Sequence, residues 1–286
     1  MLVAAGAFLG SIAAGVLILV GCGGIMEDGP RVTNYAGSSV PAAAGFLFVP
    51  VYLLTYVVIR AVEGFPEKQA FGPAESLLVL VLGMCFLGLM DDVFGDGKAS
   101  GFKGHIRALF KGRISTGFLK ALGGLLVALA VSLPLSHNWW ELFLNATLIA
   151  LCANLFNLLD MRPGRALKVF LPALAGVVAL NWKLMDTFVP YLLSVGAVAL
   201  VLLPGDLSER FMLGDAGSNV LGATVGLGVA IGAGNWWKLG VLLFLVFMNI
   251  LSEKYSFSKA VDSNRPLNWM DRLGRKGEKP GETEYK

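Results

Sequence analysis

Long uninterrupted apolar blocks, separated by short clusters of charge, glycine and proline, run through the chain almost from end to end. They fall at 1–22, 42–60, 75–90, 117–135, 141–158, 166–181, 188–204, 217–234 and 236–252. Most approach the roughly 20 residues that a helix needs to cross a bilayer. The blocks lack the alternation of barrel strands, and backbone in hydrocarbon must satisfy its own hydrogen bonds, so each predicts a helix. Block 166–181 is the weakest, being short and containing Pro172. The expected fold is an all-α, polytopic transmembrane helical bundle of about nine spans over 1–252, followed by a basic cytoplasmic tail at 253–286.

Composition points the same way. Of 286 residues, 56% are hydrophobic and 15% charged, against about 25% charged in a soluble domain. No segment is long and polar enough to hold a separate soluble core. Basic residues then orient the bundle. Of the 23 Lys and Arg, 19 lie on alternate loops and the tail, and Arg60, Lys68, Lys183 and Lys238 lie on the other side. The positive-inside rule makes the first side cytoplasmic and the N-terminus external. Trp139, Trp140, Trp182, Trp236 and Trp237 all fall at the external boundary, where interfacial aromatics belong. No Lys or Arg precedes Arg31, so block 1–22 lacks the charged start of a secretory signal and reads as a retained helix. The tail is expected to rest on anionic headgroups, and no basic–aromatic pattern points to nucleic acid. Cys22, Cys85 and Cys152 show no metal-ligand spacing and read as small apolar thiols. His105 and His137 are isolated, and the sequon Asn145-Ala146-Thr147 lies inside a block.

The candidate chemistry is acidic. Carboxylates beside apolar spans are costly and usually functional. Asp91 and Asp92 follow block 75–90, Asp160 follows 141–158, and Asp215 precedes 217–234, all at cytoplasmic ends. Asn154, Asn157 and Asp160 are three apart and share roughly one helical face. Such oxygen ligands suit Mg²⁺, with Mn²⁺ as the alternative, rather than zinc. Nearby Lys and Arg are natural partners for phosphate, and Gly214 and Gly217 let backbone N–H groups approach an anion at a helix start. Taken singly, an Asp pair at a helix end can be a solvated boundary, the glycines can serve helix packing, and a lone Lys can be a topology signal. The reading of a metal-bound diphosphate site rests on their coincidence at one face.

At these residues the chain resembles the polyprenyl-phosphate N-acetylhexosamine-1-phosphate transferase superfamily (glycosyltransferase family 4), relatives of phospho-N-acetylmuramoyl-pentapeptide transferase. The likeness covers most of the chain. It is carried in order by Asp91-Asp92, by Asn154-x-x-Asn157-x-x-Asp160, and by Gly214-Asp215-x-Gly217-Ser218, with a weaker similarity at 34–37. Members usually continue the second motif as Asp-Gly-x-Asp-Gly; here Met161, Arg162, Pro163, Gly164 and Arg165 follow. The family's histidine motif has no counterpart, since no histidine follows His137, and the loop after Asp92 is extended and basic.

The resemblance implies transfer of a sugar-1-phosphate from a UDP-sugar to a polyprenyl phosphate, with release of UMP, at the cytoplasmic face of a plasma membrane during cell-envelope synthesis. Asp215 would be a Mg²⁺ ligand, and Asp91 and Asp92 would bind metal or help activate the lipid phosphate. Lys103, Lys111, Arg113 and above all Lys120 would hold the acceptor phosphate. Asn154, Asn157 and Asp160 would face the donor, and Arg162 and Arg165 would take over diphosphate contacts. The alternatives are a catalytically silent homologue that binds polyprenyl phosphate or an envelope partner, and a transporter. The transporter is disfavoured because the charges sit at one surface and no internal repeat is visible. Gly222 and Gly226 fit either a homodimer interface or packing within the bundle.

Overall fold

The computed structural model describes residues 1–33, 37–64, 71–95 and 116–275, and the fold is all-α apart from one small hairpin. The long helices are α1 (Leu2–Gly21), α2 (Phe48–Glu63), α3 (Pro73–Phe94), α4 (Thr116–Ser132), α5 (Trp139–Leu159), α6 (Arg165–Leu180), α7 (Val189–Leu207), α8 (Gly214–Gly232) and α9 (Asn235–Lys254). Each of the nine apolar blocks is thus helical. Among the described residues seven stretches are long and apolar enough to cross a membrane, those of α1, α2, α3, α4, α5, α7 and α9 with their flanking turns.

The two remaining blocks differ for physical reasons. Helix α6 has only 16 residues and carries Pro172. Helix α8 is glycine-rich, begins with Gly214 and Asp215, and buries 13 of its 19 residues against α5, α3 and α6. A helix screened from lipid on most sides gains little from hydropathy and more from small residues that let backbones close up. A Cβ on Gly222 would fall 2.4 Å from the Cys152 carbonyl oxygen, and one on Gly226 would fall 2.8 Å from the Ile149 Cα. Both glycines are therefore occupied in packing α8 on α5, and they offer no free dimer face.

Helix boundaries shift where polar partners intervene. Asn138 caps α5 by accepting from the Glu141 N–H at 2.9 Å. Helix α3 runs on to Phe94, so Asp91 and Asp92 lie on its last turn rather than after it. Helix α8 starts at Gly214, three residues before the apolar block does. Strands β1 (Arg31–Thr33) and β2 (Ser39–Pro41) form an antiparallel hairpin before α2. Its end is bonded to the α7–α8 connection: Met212 N–H donates to Pro41 O at 2.8 Å, and Gly45 N–H donates to Leu213 O at 2.9 Å. The region expected as a plain tail instead forms two further helices, α10 (Phe257–Ser263) and α11 (Arg265–Arg272).

The close α8–α5 crossing makes a stability prediction. Gly222→Ala drives a methyl into backbone and should cost about 1–3 kcal/mol, whereas Gly10→Ala, with nothing within 4 Å of its added Cβ, should leave stability unchanged within ~0.5 kcal/mol. Equal unfolding midpoints for both variants in detergent micelles would refute the crossing.

Candidate functional site

Four helix ends converge at one end of the bundle. Asp92, on the last turn of α3, accepts the N–H of Asp215 with Oδ1 at 2.9 Å and that of Ala216 with Oδ2 at 3.0 Å. It therefore caps α8 from another helix, satisfying donors that have no intrahelical partner and placing negative charge at the positive end of the helix dipole. The approach needs glycine at 214, which has φ +73° and whose Cβ would lie 2.7 Å from Asp92 Oδ2.

This cap aims Asp215 at two neighbours. Its Oδ1 accepts from Asn157 Nδ2 at 2.7 Å. Its Oδ2 accepts from the ammonium of Lys120, near the start of α4, which also pairs with Asp91 Oδ2 at 2.9 Å. One cation thus bridges two carboxylates, and all three side chains are only about a fifth to a quarter exposed (24%, 19% and 25%). Asn157 also reaches Asn219 Oδ1 at 3.4 Å.

A second acidic region lies beside the first. Asp206, at the end of α7, accepts from the backbone N–H groups of Gly164 at 2.7 Å and Leu213 at 3.1 Å, tying the α5–α6 loop to the α7–α8 loop. Next to it Asp160 caps the end of α5. Enclosure of its carboxyl group raises its proton affinity well above the usual carboxylate range, and Asp206, Asp215 and Asp92 add to the shift. A small open cleft is lined by Asp160, Arg162, Asp206, Glu209, Phe211 and Met212.

The structure gathers Asp91, Lys120, Asn157 and Asp215 as the motif spacing implies, with Gly214 at the turn. Other expected site residues go elsewhere. Asn154 leaves the cluster and donates to Asn249 Oδ1 on α9, because a spacing of three drifts around the helix over two turns. Arg165 is buried and gives a two-pronged ion pair to Asp271, from Nε at 2.7 Å and Nη2 at 2.9 Å, with Nη1 3.1 Å from Ser258 Oγ. Arg162 pairs with Asp262 at 3.2 Å. Arg165 is therefore withdrawn from the substrate role expected of it, and Arg162 is at least partly engaged by the C-terminal segment. Burial would raise the Asp271 carboxyl, but Arg165 and Arg275 outweigh it and hold the group below its ordinary range. Lys103, Lys111, Arg113 and residues 34–36 lie outside the described residues. Asp206, Asn249, Asp262 and Asp271 were not singled out in the sequence. The rule that marked the other aspartates, a carboxylate beside an apolar block, applies equally to Asp206.

For a divalent cation the fit is partial. Among the described residues no group of three or more His, Cys, Asp or Glu is arranged to hold a metal. Asp92 accepts one backbone N–H of α8 with each oxygen, so in this structure it acts as a helix cap. Asp91 and Asp215, however, already share one cation, the Lys120 ammonium, and two carboxylates completed by phosphate oxygens and water are the usual environment of Mg²⁺. No protein-family model matches the chain, and no curated protein matches its sequence.

The raised proton affinity of Asp160 predicts a pH dependence of stability. Unfolded, it ionises near pH ~3.9; folded, it keeps its proton to higher pH. Between those limits the unfolded state binds fewer protons, so this residue's contribution to stability falls as pH rises. Asp160→Asn should therefore raise the unfolding temperature at pH 7 and lose that advantage towards pH 4. A variant less stable than the parent at pH 7 contradicts the assignment.

Proposed function

We propose that the chain is a Mg²⁺-dependent phosphoglycosyl transferase that moves a sugar-1-phosphate from a UDP-sugar to a polyprenyl phosphate and releases UMP. The observation that supports this most is the meeting of Asp91, Lys120, Asn157 and Asp215, from α3, α4, α5 and α8, at one end of an apolar bundle. In this reading the bundle makes nine crossings, with that end on the cytoplasmic side of the plasma membrane and the N-terminus outside, as the basic residues direct.

The reaction joins an anionic oxygen of the lipid phosphate to the β-phosphorus of the donor and breaks the bond to the bridging oxygen, which leaves with UMP. The nucleophile is already charged at neutral pH, so catalysis consists of positioning and charge neutralisation. In this reading Lys120 holds the acceptor phosphate, its ammonium being the cation at the meeting of α3, α4 and α8. Asp91 and Asp215 keep that ammonium charged and localised, and they are the two residues that would hold Mg²⁺. Bound there, the ion would neutralise diphosphate oxygens. Asn157 orients Asp215, Asp92 fixes the turn that presents it, and Asp160 borders the cleft available to the donor.

The alternative, a silent homologue that binds polyprenyl phosphate, draws on one observation: Arg165, expected at the donor, is buried in a pair with Asp271, and Arg162 on the cleft lining is shared with Asp262. Purified protein given undecaprenyl phosphate, Mg²⁺ and a panel of UDP-sugars decides between them. UMP release from one donor, reduced about 10²–10³-fold in Asp215→Asn, is expected. Silence across the panel with lipid phosphate still bound would replace the transferase with the silent homologue.

A further inference from the structure

Helix α11 is inside out for a helix in water. Its buried residues are polar, Asn268 and Asp271, while Leu267, Trp269 and Met270 are 48%, 56% and 58% exposed. The inward side chains are fully used: Asn268 Nδ2 donates to Asp262 O at 3.0 Å, and Asp271 takes Arg165 and Arg275. Lys168 donates to the backbone carbonyls of Met270, Asp271 and Leu273, closing the C-terminal end of the helix. Apolar side chains turned outwards on a helix so firmly seated imply an apolar surrounding.

Position identifies that surrounding. Lys168 lies three residues, or about 4.5 Å, inside α6 from Arg165, so α11 sits alongside the first turn of α6 and not beyond it. Exposed apolar side chains also mark the two long helices it is tied to or follows: α9 exposes Leu243, Phe244, Phe247 and Ile250, Tyr255 follows, and α6 exposes Val169. Along the chain leading into it Lys254, Lys259 and Arg265 are exposed, against the exposed acids Glu253 and Asp262, the latter paired with Arg162. An amphipathic helix with cations at its rim, buried about 5–10 Å into the headgroup–acyl boundary, has these properties. A second copy is the poorer fit, because three or four side chains on eight residues fall well short of the ~800 Å² per partner of a stable interface.

We propose that α11 is an interfacial membrane helix, with Leu267, Trp269 and Met270 seated among anionic lipids of the leaflet at the aspartate-bearing end. Through Asp271–Arg165 and the Arg275 Nε bond to Pro163 O at 3.2 Å, it anchors the 160–165 loop to that surface. Asp160 and the cleft are thereby held at headgroup depth. The inference requires only a membrane-embedded chain and stands apart from the transferase reading.

Two measurements on the full chain in nanodiscs containing phosphatidylglycerol test it. With Cys22 replaced by Ser, and Cys85 and Cys152 buried, Met270→Cys takes an NBD label. Blue-shifted emission, quenched more by lipids doxyl-labelled high on the acyl chain than near its end, is expected. Water-like emission without quenching overturns the proposal, as does a blue shift that lipids do not quench and that disappears at one copy per disc. Asp271→Asn should then accelerate amide exchange over 161–165 about tenfold while NBD quenching persists. Unchanged exchange there overturns the anchoring.

Discussion

The bond from Asp92 to the first turn of α8 governs the site. A helix that starts inside a membrane protein has free N–H groups with no water to take them, and leaving them unpaired is costly. Here the carboxylate comes from α3, so the partner of the donors is also a crosslink between helices. The geometry demands near-contact backbones: a Cβ on Gly88 would strike the Asp215 carbonyl at 2.2 Å, and one on Gly45 would strike Gly217 N at 2.1 Å. Gly45, Gly88 and Gly214 are thus conditions for the Asp92 cap, and the cap is the condition for Asp215 reaching Lys120 and Asn157.

Much of the architecture was legible because hydropathy is a direct physical requirement of lipid. All nine blocks became helices. What hydropathy could not show was rank within the bundle. Helix α8 has weak apolar character and is the most enclosed, because the helices around it meet the lipid in its place. The Asp-Asp pair looked like two equivalent ligands, yet one residue along a helix turns a side chain by about 100°. Asp91 consequently faces Lys120 while Asp92 faces the α8 backbone. Asn154 shows the same limit, since three-residue spacing brought Asn157 but not Asn154 to Asp215. The C-terminal helices were missed because their apolar residues are few, and because the acids that dock them, Asp262 and Asp271, pair with arginines about a hundred residues earlier.

That docking bears on the altered second motif. The motif of the resembled family would put a second aspartate at position 163, where this chain has Pro163, and Arg162 and Arg165 enter on either side of it. The Arg165 guanidinium is matched by Asp271 and turned away from the cleft, while Arg162 pairs with Asp262 and still lines the cleft. A buried, two-pronged Arg–carboxylate pair is costly to break singly, since either partner alone would be left charged and enclosed. The arginines and the C-terminal helices therefore form one unit, in which each is the reason the other can be buried. The 160–165 loop owes its shape to that unit on one side and to Asp206 on the other. Asp160 begins that loop, so its place on the cleft beside Asp206 depends on bonds that Gly164, Pro163 and Arg165 make to distant parts of the sequence.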